Sequence, residues 1–545
     1  MSRLHDPSRT VQSARPSRRS LLKGTAALGG GAVFGGLGFG LTQSNSALAQ
    51  DANYAIYTSL TDIPNIDPAV GHDGSISVSQ KSVYDTLYRH LGNPVELVPW
   101  LATGHTVSED GLTYTFTLDP AAKFQDGSPL TAESVVYSFQ RLLDVGQGVA
   151  FMFEGIVARD ACVAVDPTTV SFTLSKQFAP FLHATAWLFI LNPAVVAENE
   201  VDGDLGQAWL TSNSAGSGPF KIGRWEPGNL YQFDADPNYW KGWEGEHVSG
   251  YIHQVSTESS TKRLALENGE VQFADYLSTQ DKILLSKKEG IVIPMEPGLS
   301  TYTVKMNYQV GPTSDVNVRR ALSYAFDYDA MIELLSGYGS LLVGPLSPAI
   351  PGAITEPTYT RDMEKAKAAL ALSTEYSGGF DIEFVYVSGI EEERQTGQIL
   401  LDSVKELGIN VTITGMDWAN AVALFADPET SPGLFPIYSG TDYPDPDNFL
   451  YQTYHSSSAG TWMGADQYSN PDVDALLDEA RSTVDEAARI ELYQQVQRIV
   501  IDEAVEMFVY TSLAGVPHLA TIQGYTVCPV MGSNPWWYPI SMAAQ

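Results

Sequence analysis

Segments in which apolar and polar residues alternate strictly occur in the first half of the chain. Residues 112–118 (LTYTFTL) show this period of two, and residues 170–174 show it again. Side chains of a strand point alternately to its two faces, so both segments are predicted to be half-buried strands. Residues 220–225 and 230–233 flank a Pro-Gly turn and predict a β-hairpin.

The second half of the chain alternates between strand-like and helix-like patterns. Residues 380–387 and 411–416 are predicted strands, and residues 392–407 between them form a predicted helix that ends before Gly408. A helical stripe of apolar residues also occurs at 318–325. Strands that alternate with helices in this way are typical of β-α-β units. The patterns therefore predict a mixed α/β fold and exclude the all-α and all-β classes.

Composition adds size and charge to this picture. The chain has 545 residues, of which 44% are hydrophobic, so it can bury a large core and is long enough for three or four domain-sized units. It carries 64 acidic against 31 basic residues, a formal net charge of −33. This excess argues against nucleic acid or anionic lipid as a partner. Cys162 and Cys528 allow at most one disulfide, and the sequence leaves open whether they are bonded.

The N-terminus has the three parts of an export signal. Residues 17–23 (SRRSLLK) contain twin arginines, an uncharged stretch follows at 24–41, and residues 47–49 (ALA) form a small-residue cleavage site. The stretch at 24–41 holds eight glycines and is short for a transmembrane anchor, which is the alternative. We predict a twin-arginine signal peptide over residues 1–49, cleaved after Ala49. Its removal leaves 25 basic and 63 acidic residues, a net charge of −38.

Sequence motifs of common catalytic and metal sites are missing. The chain has no G-x-S-x-G, H-E-x-x-H, P-loop or C-x-x-C motif, and no two histidines of the exported part are four residues apart. We therefore predict neither an enzyme, nor a cofactor, nor a metal site.

An acidic loop at residues 440–449 (GTDYPDPDNF) is the most distinctive polar segment. Its two prolines stiffen the backbone, so the loop could hold a carboxylate toward a ligand. Three interpretations compete: aspartates that cap local backbone groups, a calcium site, and a site for a cationic group. The spacing of Asp442, Asp445 and Asp447 does not fit an EF-hand, which makes calcium the weakest of the three. For Asp445 and Asp447 the structural interpretation is preferred.

Taken together in their order and spacing, several segments resemble the peptide/nickel class (family 5) of extracellular solute-binding proteins of ABC importers. The similar segments are residues 83–87 (VYDTL), 108–118 (SEDGLTYTFTL), 124–127 (FQDG), 130–138 (LTAESVVYS), 216–220 (GSGPF), 238–240 (NYW), 318–322 (VRRAL), 470–474 (NPDVD) and the acidic loop.

The resemblance implies a two-lobed periplasmic-binding-protein architecture of three domains, linked by hinges and closing over a ligand in the cleft. We expect a first lobe at 50–296 with two subdomains, an inserted second lobe at 297–510, and a C-terminal segment at 511–545 that returns to the first lobe. The expected protein is a periplasmic monomer. Its partners would be a peptide or small-molecule ligand and the ABC permease subunits of the inner membrane.

The resemblance also suggests the site. In peptide-binding relatives an aspartate at the place of Asp442 pairs with the ligand's ammonium, and the preceding strand, here predicted at 437–441, binds the peptide backbone. We expect Asp442, Gly440 and Thr441 to contact the ligand, with Tyr443 and Trp418 as walls of the cleft. The segment at 66–73, which includes His72, matches the place where relatives bring first-lobe residues to the cleft.

One departure from the resemblance bears on the ligand. Dipeptide-binding relatives place an arginine for the ligand carboxylate before the helix predicted at 392–407, where this chain has three consecutive glutamates at 391–393. Arg394 falls within that helix and is a poor substitute. The expected ligand is therefore a longer peptide or an amine-bearing solute. An uncharged solute such as a glycoside is the alternative, followed by a secreted hydrolase on the same fold.

Overall fold

The computed structural model describes residues 53–356, 359–530 and 535–543 of the chain. The predicted twin-arginine segment and its cleavage point after Ala49 lie outside these residues. The described chain is mixed α/β, which confirms the predicted fold class. None of its helices has the length and apolar character needed to cross a membrane.

A seven-stranded sheet combines the N-terminal part of the chain with one strand from near the C-terminus. The strand Tyr54–Ser59 lies at its centre and pairs in parallel with Gly250–Val255, with Tyr54 opposite Gly250. The predicted hairpin forms one edge of this sheet. In spatial order the strands are Ile291–Val292, His518–Leu519, Phe273–Ala274, Tyr54–Ser59, Gly250–Val255, Leu230–Ala235 and Phe220–Glu226.

A four-stranded antiparallel sheet contains the two segments of strict alternation. The strands predicted at 112–118 and 170–174 are confirmed, and the structure pairs them with each other, with Phe116 opposite Val170. The order is Ala102–Val107, Thr113–Leu118, Thr169–Leu174 and Val157–Asp166. Two short pairs of strands complete this part of the chain: Tyr88–Leu91 with Glu96–Pro99, and Ile522–Gln523 with Ser541–Met542.

A six-stranded sheet is built from the middle of the chain. Its strands are, in order, Gly339–Leu341, Glu506–Ala514, Glu296–Met306, Leu434–Ser439, Asp381–Val387 and Asn410–Met416. The last two are parallel neighbours joined by the helix Glu391–Val404, which confirms the predicted β-α-β unit. Both faces of this sheet are buried, as the alternating side chains of the strand Leu434–Ser439 show. Leu434 packs in a hydrophobic cluster on one face, and Phe435 and Ile437 pack in a second cluster on the other.

Two antiparallel strands connect this sheet to the rest of the protein. Glu296–Met306 pairs with Glu506–Ala514, with Glu296 opposite Ala514, and the chain then returns to the seven-stranded sheet at His518. We call the part built on the seven- and four-stranded sheets the first lobe, and the part built on the six-stranded sheet the second lobe. The result is a two-lobed α/β protein.

Helices cover the sheets of both lobes. Those of the first lobe are Gly74–Val83, Ala132–Val145, Phe181–Ala184, Pro193–Asn199, Gln207–Leu210, Ser259–Glu267 and Thr279–Leu285. Those of the second lobe are Val316–Ala325, Tyr328–Leu335, Met363–Ala371, Glu391–Val404, Trp418–Leu424, Pro446–Tyr454, Pro471–Ser482 and Glu486–Asp502. Single 3-10 turns occur at Gly148–Met152, Pro312–Ser314, Lys405–Leu407 and Ser456–Ser458.

Candidate functional site

Asp442 lies in a loop just after the strand Leu434–Ser439 of the second lobe. This strand, predicted to reach residue 441, ends two residues earlier because the side chain of Asn448 holds the following backbone. Asn448 Oδ1 accepts hydrogen bonds from Asp442 N and from Thr441 Oγ1, both at 2.7 Å, and its Nδ2 donates to Asp442 Oδ2 at 2.9 Å. The loop therefore presents the Asp442 carboxylate in one orientation, with 4% of the residue exposed.

The two other aspartates of the loop are paired with protein groups. Asp445 caps the helix Pro446–Tyr454 and forms an ion pair with Arg489 at 2.7 Å. Asp447 is buried and lies 2.9 Å from Arg481 Nε. Burial raises the pKa of Asp447, and the positive charge of Arg481 opposes this shift. These contacts agree with the structural interpretation of both residues.

Two first-lobe side chains meet Asp442 across the contact between the lobes. His72 Nε2 lies 3.0 Å from Asp442 Oδ1, and the indole Nε1 of Trp187 donates to the Asp442 carbonyl at 2.8 Å. The rings of His72 and Trp187 pack edge to face, with centroids 5.4 Å apart. The structure thus brings His72, from the segment at 66–73, to the same place as Asp442.

The electrostatics of this contact favour an ionised Asp442. Burial alone would raise the pKa of Asp442, but the charge of His72 and the hydrogen bonds from His72, Asn448 and Gln452 outweigh burial and lower this pKa below its ordinary value. A carboxylate in this state attracts a cation, and does so more strongly than in bulk water because the surroundings are less polarisable.

Asp442 and His72 can each form a further hydrogen bond at this contact. Asp442 Oδ1 is buried, and His72 Nε2 at 3.0 Å occupies at most one of its two acceptor positions. The Nδ1 atom of His72 has no hydrogen-bond partner among the described residues. Because buried polar groups are nearly always hydrogen-bonded, this spare capacity marks a place where a polar ligand can bind.

The remaining predicted site residues have different surroundings. Tyr443 is buried and stacks on the first-lobe residue His183, with ring centroids 5.4 Å apart. A Cβ atom added to Gly440 would have Ser300 Oγ as its nearest neighbour at 3.9 Å, so the protein itself leaves room there. Trp418 is 43% exposed and packs edge-on against Trp462. The ligand contacts of all these residues stay predictions.

Sequence reasoning did not single out Trp187 or Asn448. The Trp187 indole and the Asp442 carbonyl are 255 positions apart in the chain, so no local pattern relates them. Asn448 sits six positions after Asp442, a separation that no local turn or capping motif covers, so its bond to the loop could not be inferred from the sequence.

Other features of the described residues do not add to this site. Cys162 and Cys528 are free thiols. No group of three or more His, Cys, Asp or Glu side chains in the described ranges could hold a metal ion. A surface cavity of 560 Å³ lies in the first lobe, where its lining includes Asn192, Trp209 and Trp225 but not Asp442 or His72.

A two-lobed α/β fold with an ionised, partly unsatisfied carboxylate where the lobes meet defines a solute-binding protein. Residues 96–461 match the model of the family "Bacterial extracellular solute-binding proteins, family 5 Middle". The chain belongs to family 5 of the bacterial extracellular solute-binding proteins.

Known proteins resemble the chain over nearly its whole length. It is 31% identical to the probable D,D-dipeptide-binding periplasmic protein DdpA of Escherichia coli K12, over 86% of this chain and 90% of that protein. It is 29% identical to heme-binding protein A of Haemophilus influenzae, over 90% and 92% of the two chains. The periplasmic binding protein DppA of Helicobacter pylori, solved with the peptide STSA, has the same fold with a TM-score of 0.80, 24% identity, and coverage of 91% and 100%.

Proposed function

We propose that the protein is the periplasmic capture component of an ABC importer and that it binds a peptide or small amine-bearing solute at Asp442. Membership of the family and relatives named for dipeptide binding support this proposal. The lobes close over the ligand, and the closed complex delivers it to permease subunits of the inner membrane. Export by the twin-arginine route, with cleavage after Ala49, brings the protein to the periplasm. There it acts as a monomer without enzymatic activity.

The observation that carries the proposal is the Asp442 carboxylate. It is buried, its pKa is lowered although burial opposes this, and its Oδ1 atom has unused acceptor capacity. An ammonium group supplies three donors and a positive charge, which is the complement of such a group. One charged hydrogen bond contributes about 1.5–3 kcal/mol, so a few further bonds and apolar burial would reach micromolar affinity, near −8 kcal/mol.

Lobe closure would run through the two connecting strands. We place the limits of the second lobe at residues 297 and 510, both within the paired strands Glu296–Met306 and Glu506–Ala514. Because the described chain passes between the two lobes only at the ends of these strands, small backbone changes there can rotate one lobe against the other. Asp442 belongs to the moving lobe and His72 to the other, so closure assembles the site from both.

The Asp442→Asn variant tests the amine site. Purified protein is first screened by thermal shift with peptides of two to five residues and with simple amines. For a peptide that stabilises the protein, we expect Asp442→Asn to weaken binding tenfold or more in calorimetry, about 1.4 kcal/mol, because the amide carries no charge.

The matched control is Asp402→Asn, which removes a charge from an exposed helix position of the same lobe. It should bind as the unmodified protein does. The proposal is overturned if a sugar stabilises the protein while no peptide or amine does, or if Asp442→Asn leaves the affinity for a cationic ligand unchanged.

A further inference from the structure

Lys81 lies beside the Asp442 contact but on the other lobe. It occupies the last turn of the first-lobe helix Gly74–Val83. Its Nζ is 4.5 Å from the centre of the Trp187 ring, and the nitrogen of that same indole donates to the Asp442 carbonyl. One tryptophan therefore contacts a cation of the first lobe and the anion-bearing residue of the second.

Lys81 has no carboxylate partner in the described part of the chain. Burial lowers the pKa of Lys81 to about 8; Cys528 and Asp442 offset this only in part, and the positive charge of Arg89 adds to the lowering. Lys305 shows the opposite outcome, since Asp466 and Glu506 lie 3.1 and 2.8 Å from its Nζ and raise its pKa against the effect of burial.

Lys81 is half-buried, and a partly desolvated cation without a counter-ion is stabilised by an added carboxylate. The aromatic face of Trp187 compensates in part through a cation–π contact. Asp442 cannot serve as the counter-ion in its present position, because its carboxylate faces His72 and Asn448. The missing anion can therefore come from solution, at the same interlobe site that offers Asp442 to a cation.

We propose that Lys81 binds the carboxylate of a ligand whose ammonium group is held by Asp442, so that the ligand is a short zwitterionic peptide. This inference rests on the proposed function and deepens it. The chain lacks the arginine expected before the helix Glu391–Val404, and Arg394 within that helix pairs with Glu391. Lys81 supplies the cation from the opposite lobe instead.

The contacts with a single indole limit the length of this ligand. Lys81 Nζ lies over the Trp187 ring, and the backbone carbonyl of Asp442 accepts from the nitrogen of the same ring, so a ligand held by both residues lies against one indole. An extended chain advances about 3.3–3.6 Å per residue, so a dipeptide spans roughly 7 Å between its ends. We therefore expect a dipeptide rather than a long peptide.

The test compares three forms of alanyl-alanine, in both L,L and D,D configurations, by calorimetry: the free dipeptide, its C-terminal amide and its N-acetyl derivative. We expect the unmodified protein to bind one free dipeptide at least tenfold more tightly than its amide. Lys81→Met should lose this preference, binding the free dipeptide as weakly as the amide. Lys81→Arg should retain at least part of the preference, because it keeps the positive charge.

Lys241→Met is the matched control. Lys241 is exposed, and its Nζ also lies 4.5 Å from a tryptophan ring, that of Trp100, so this variant removes the same kind of cation–π contact elsewhere in the first lobe. It should keep the full preference for the free carboxylate. Thermal unfolding of each variant checks that loss of binding is not loss of folding. If Lys81→Met proves unstable, the comparison of the free dipeptide with its amide in the unmodified protein still tests whether a cation binds the ligand carboxylate.

The outcomes separate the two proposals. Equal binding of the free dipeptide and its amide by the unmodified protein overturns the role of Lys81 and leaves the role of Asp442 standing. Equal binding of the free and N-acetylated dipeptides overturns the role of Asp442. If neither configuration of the dipeptide binds, the assignment of a short zwitterion is wrong, while a simple amine that still binds upholds the amine site.

Discussion

Asp442 and Glu393 are both buried carboxylates of the second lobe, and their pKa values shift in opposite directions. Hydrogen-bond donors and His72 lower the pKa of Asp442 despite burial. Burial raises the pKa of Glu393 to about 8, because the single hydrogen bond from Val387 N at 2.7 Å does not compensate and Glu392 adds like charge. At residue scale, a neighbouring positive charge together with hydrogen-bond donors thus decides whether a buried carboxylate can serve as an anion.

Glu393 makes the stability of the protein dependent on pH. Its folded pKa is raised above the ordinary value of 4.5, so its contribution is most favourable below pH 4.5 and is lost as the pH rises toward about 8. Glu393→Gln keeps the acceptor for Val387 and removes the titration. Between pH 5 and pH 8 the unfolding free energy of the unmodified protein should fall by roughly 3 kcal/mol more than that of the variant.

Denaturant unfolding at the two pH values measures this difference. Glu364→Gln changes an exposed first-turn glutamate of another second-lobe helix and should leave the pH dependence unaltered. Identical pH profiles for Glu393→Gln and the unmodified protein would show that Glu393 is ionised in the fold.

At the scale of elements, the β-α-β unit depends on a close contact between two turns. Gly379 precedes the strand Asp381–Val387, and Gly408 ends the turn that follows the helix Glu391–Val404. Gly379 has a φ of +93°, and a Cβ atom there would lie 2.3 Å from the carbonyl oxygen of Gly408. Both the left-handed backbone and the close approach therefore require glycine.

We expect Gly379→Ala to destabilise the protein by at least about 2 kcal/mol, because alanine at this φ is strained and the neighbouring backbone must move. The adjacent Gly378→Ala is the control, since a Cβ atom there meets nothing within 4 Å. It should change stability by no more than about 0.5 kcal/mol. Chemical denaturation measures both, and equal stabilities of the two variants would contradict the contact.

At the scale of the whole molecule, polar contacts join the two lobes in addition to those of Asp442. Glu392 of the second lobe accepts hydrogen bonds from Thr279 N at 3.0 Å and Thr279 Oγ1 at 3.1 Å, at the start of the first-lobe helix Thr279–Leu285. A carboxylate at a helix N-terminus is favourable in charge as well as in hydrogen bonding. This contact stabilises the closed arrangement specifically, because an opened cleft would separate the two residues.

Glu392→Ala should therefore shift the ligand-free protein toward an open form and weaken peptide binding about three- to tenfold, since part of the binding energy must then be used for closure. Small-angle scattering measures the first effect as a larger radius of gyration, and calorimetry measures the second. Glu391→Ala is the control, because Glu391 pairs with Arg394 of its own helix. Unchanged scattering and affinity in Glu392→Ala would argue against this role.

Local periodicity was sufficient for much of the fold. The strands Thr113–Leu118 and Thr169–Leu174 and the unit from Asp381 to Met416 lie within a few residues of their predicted places, because burial of one face imposes the period of each element. The strand before Asp442 was predicted too far, to residue 441. Its end depends on the side chain of Asn448, which periodicity does not describe.

The sequence by itself determined the α/β class and the positions of the strongly periodic elements, and its family resemblance pointed to Asp442, because periodicity, turn residues and family motifs are all local. Only the tertiary structure decided which groups surround Asp442. His72, Lys81 and Trp187 come from distant segments of the first lobe, and they meet the loop through the packing of two lobes rather than through any spacing in the chain. The charges and donors that a ligand would meet are therefore a property of the folded molecule.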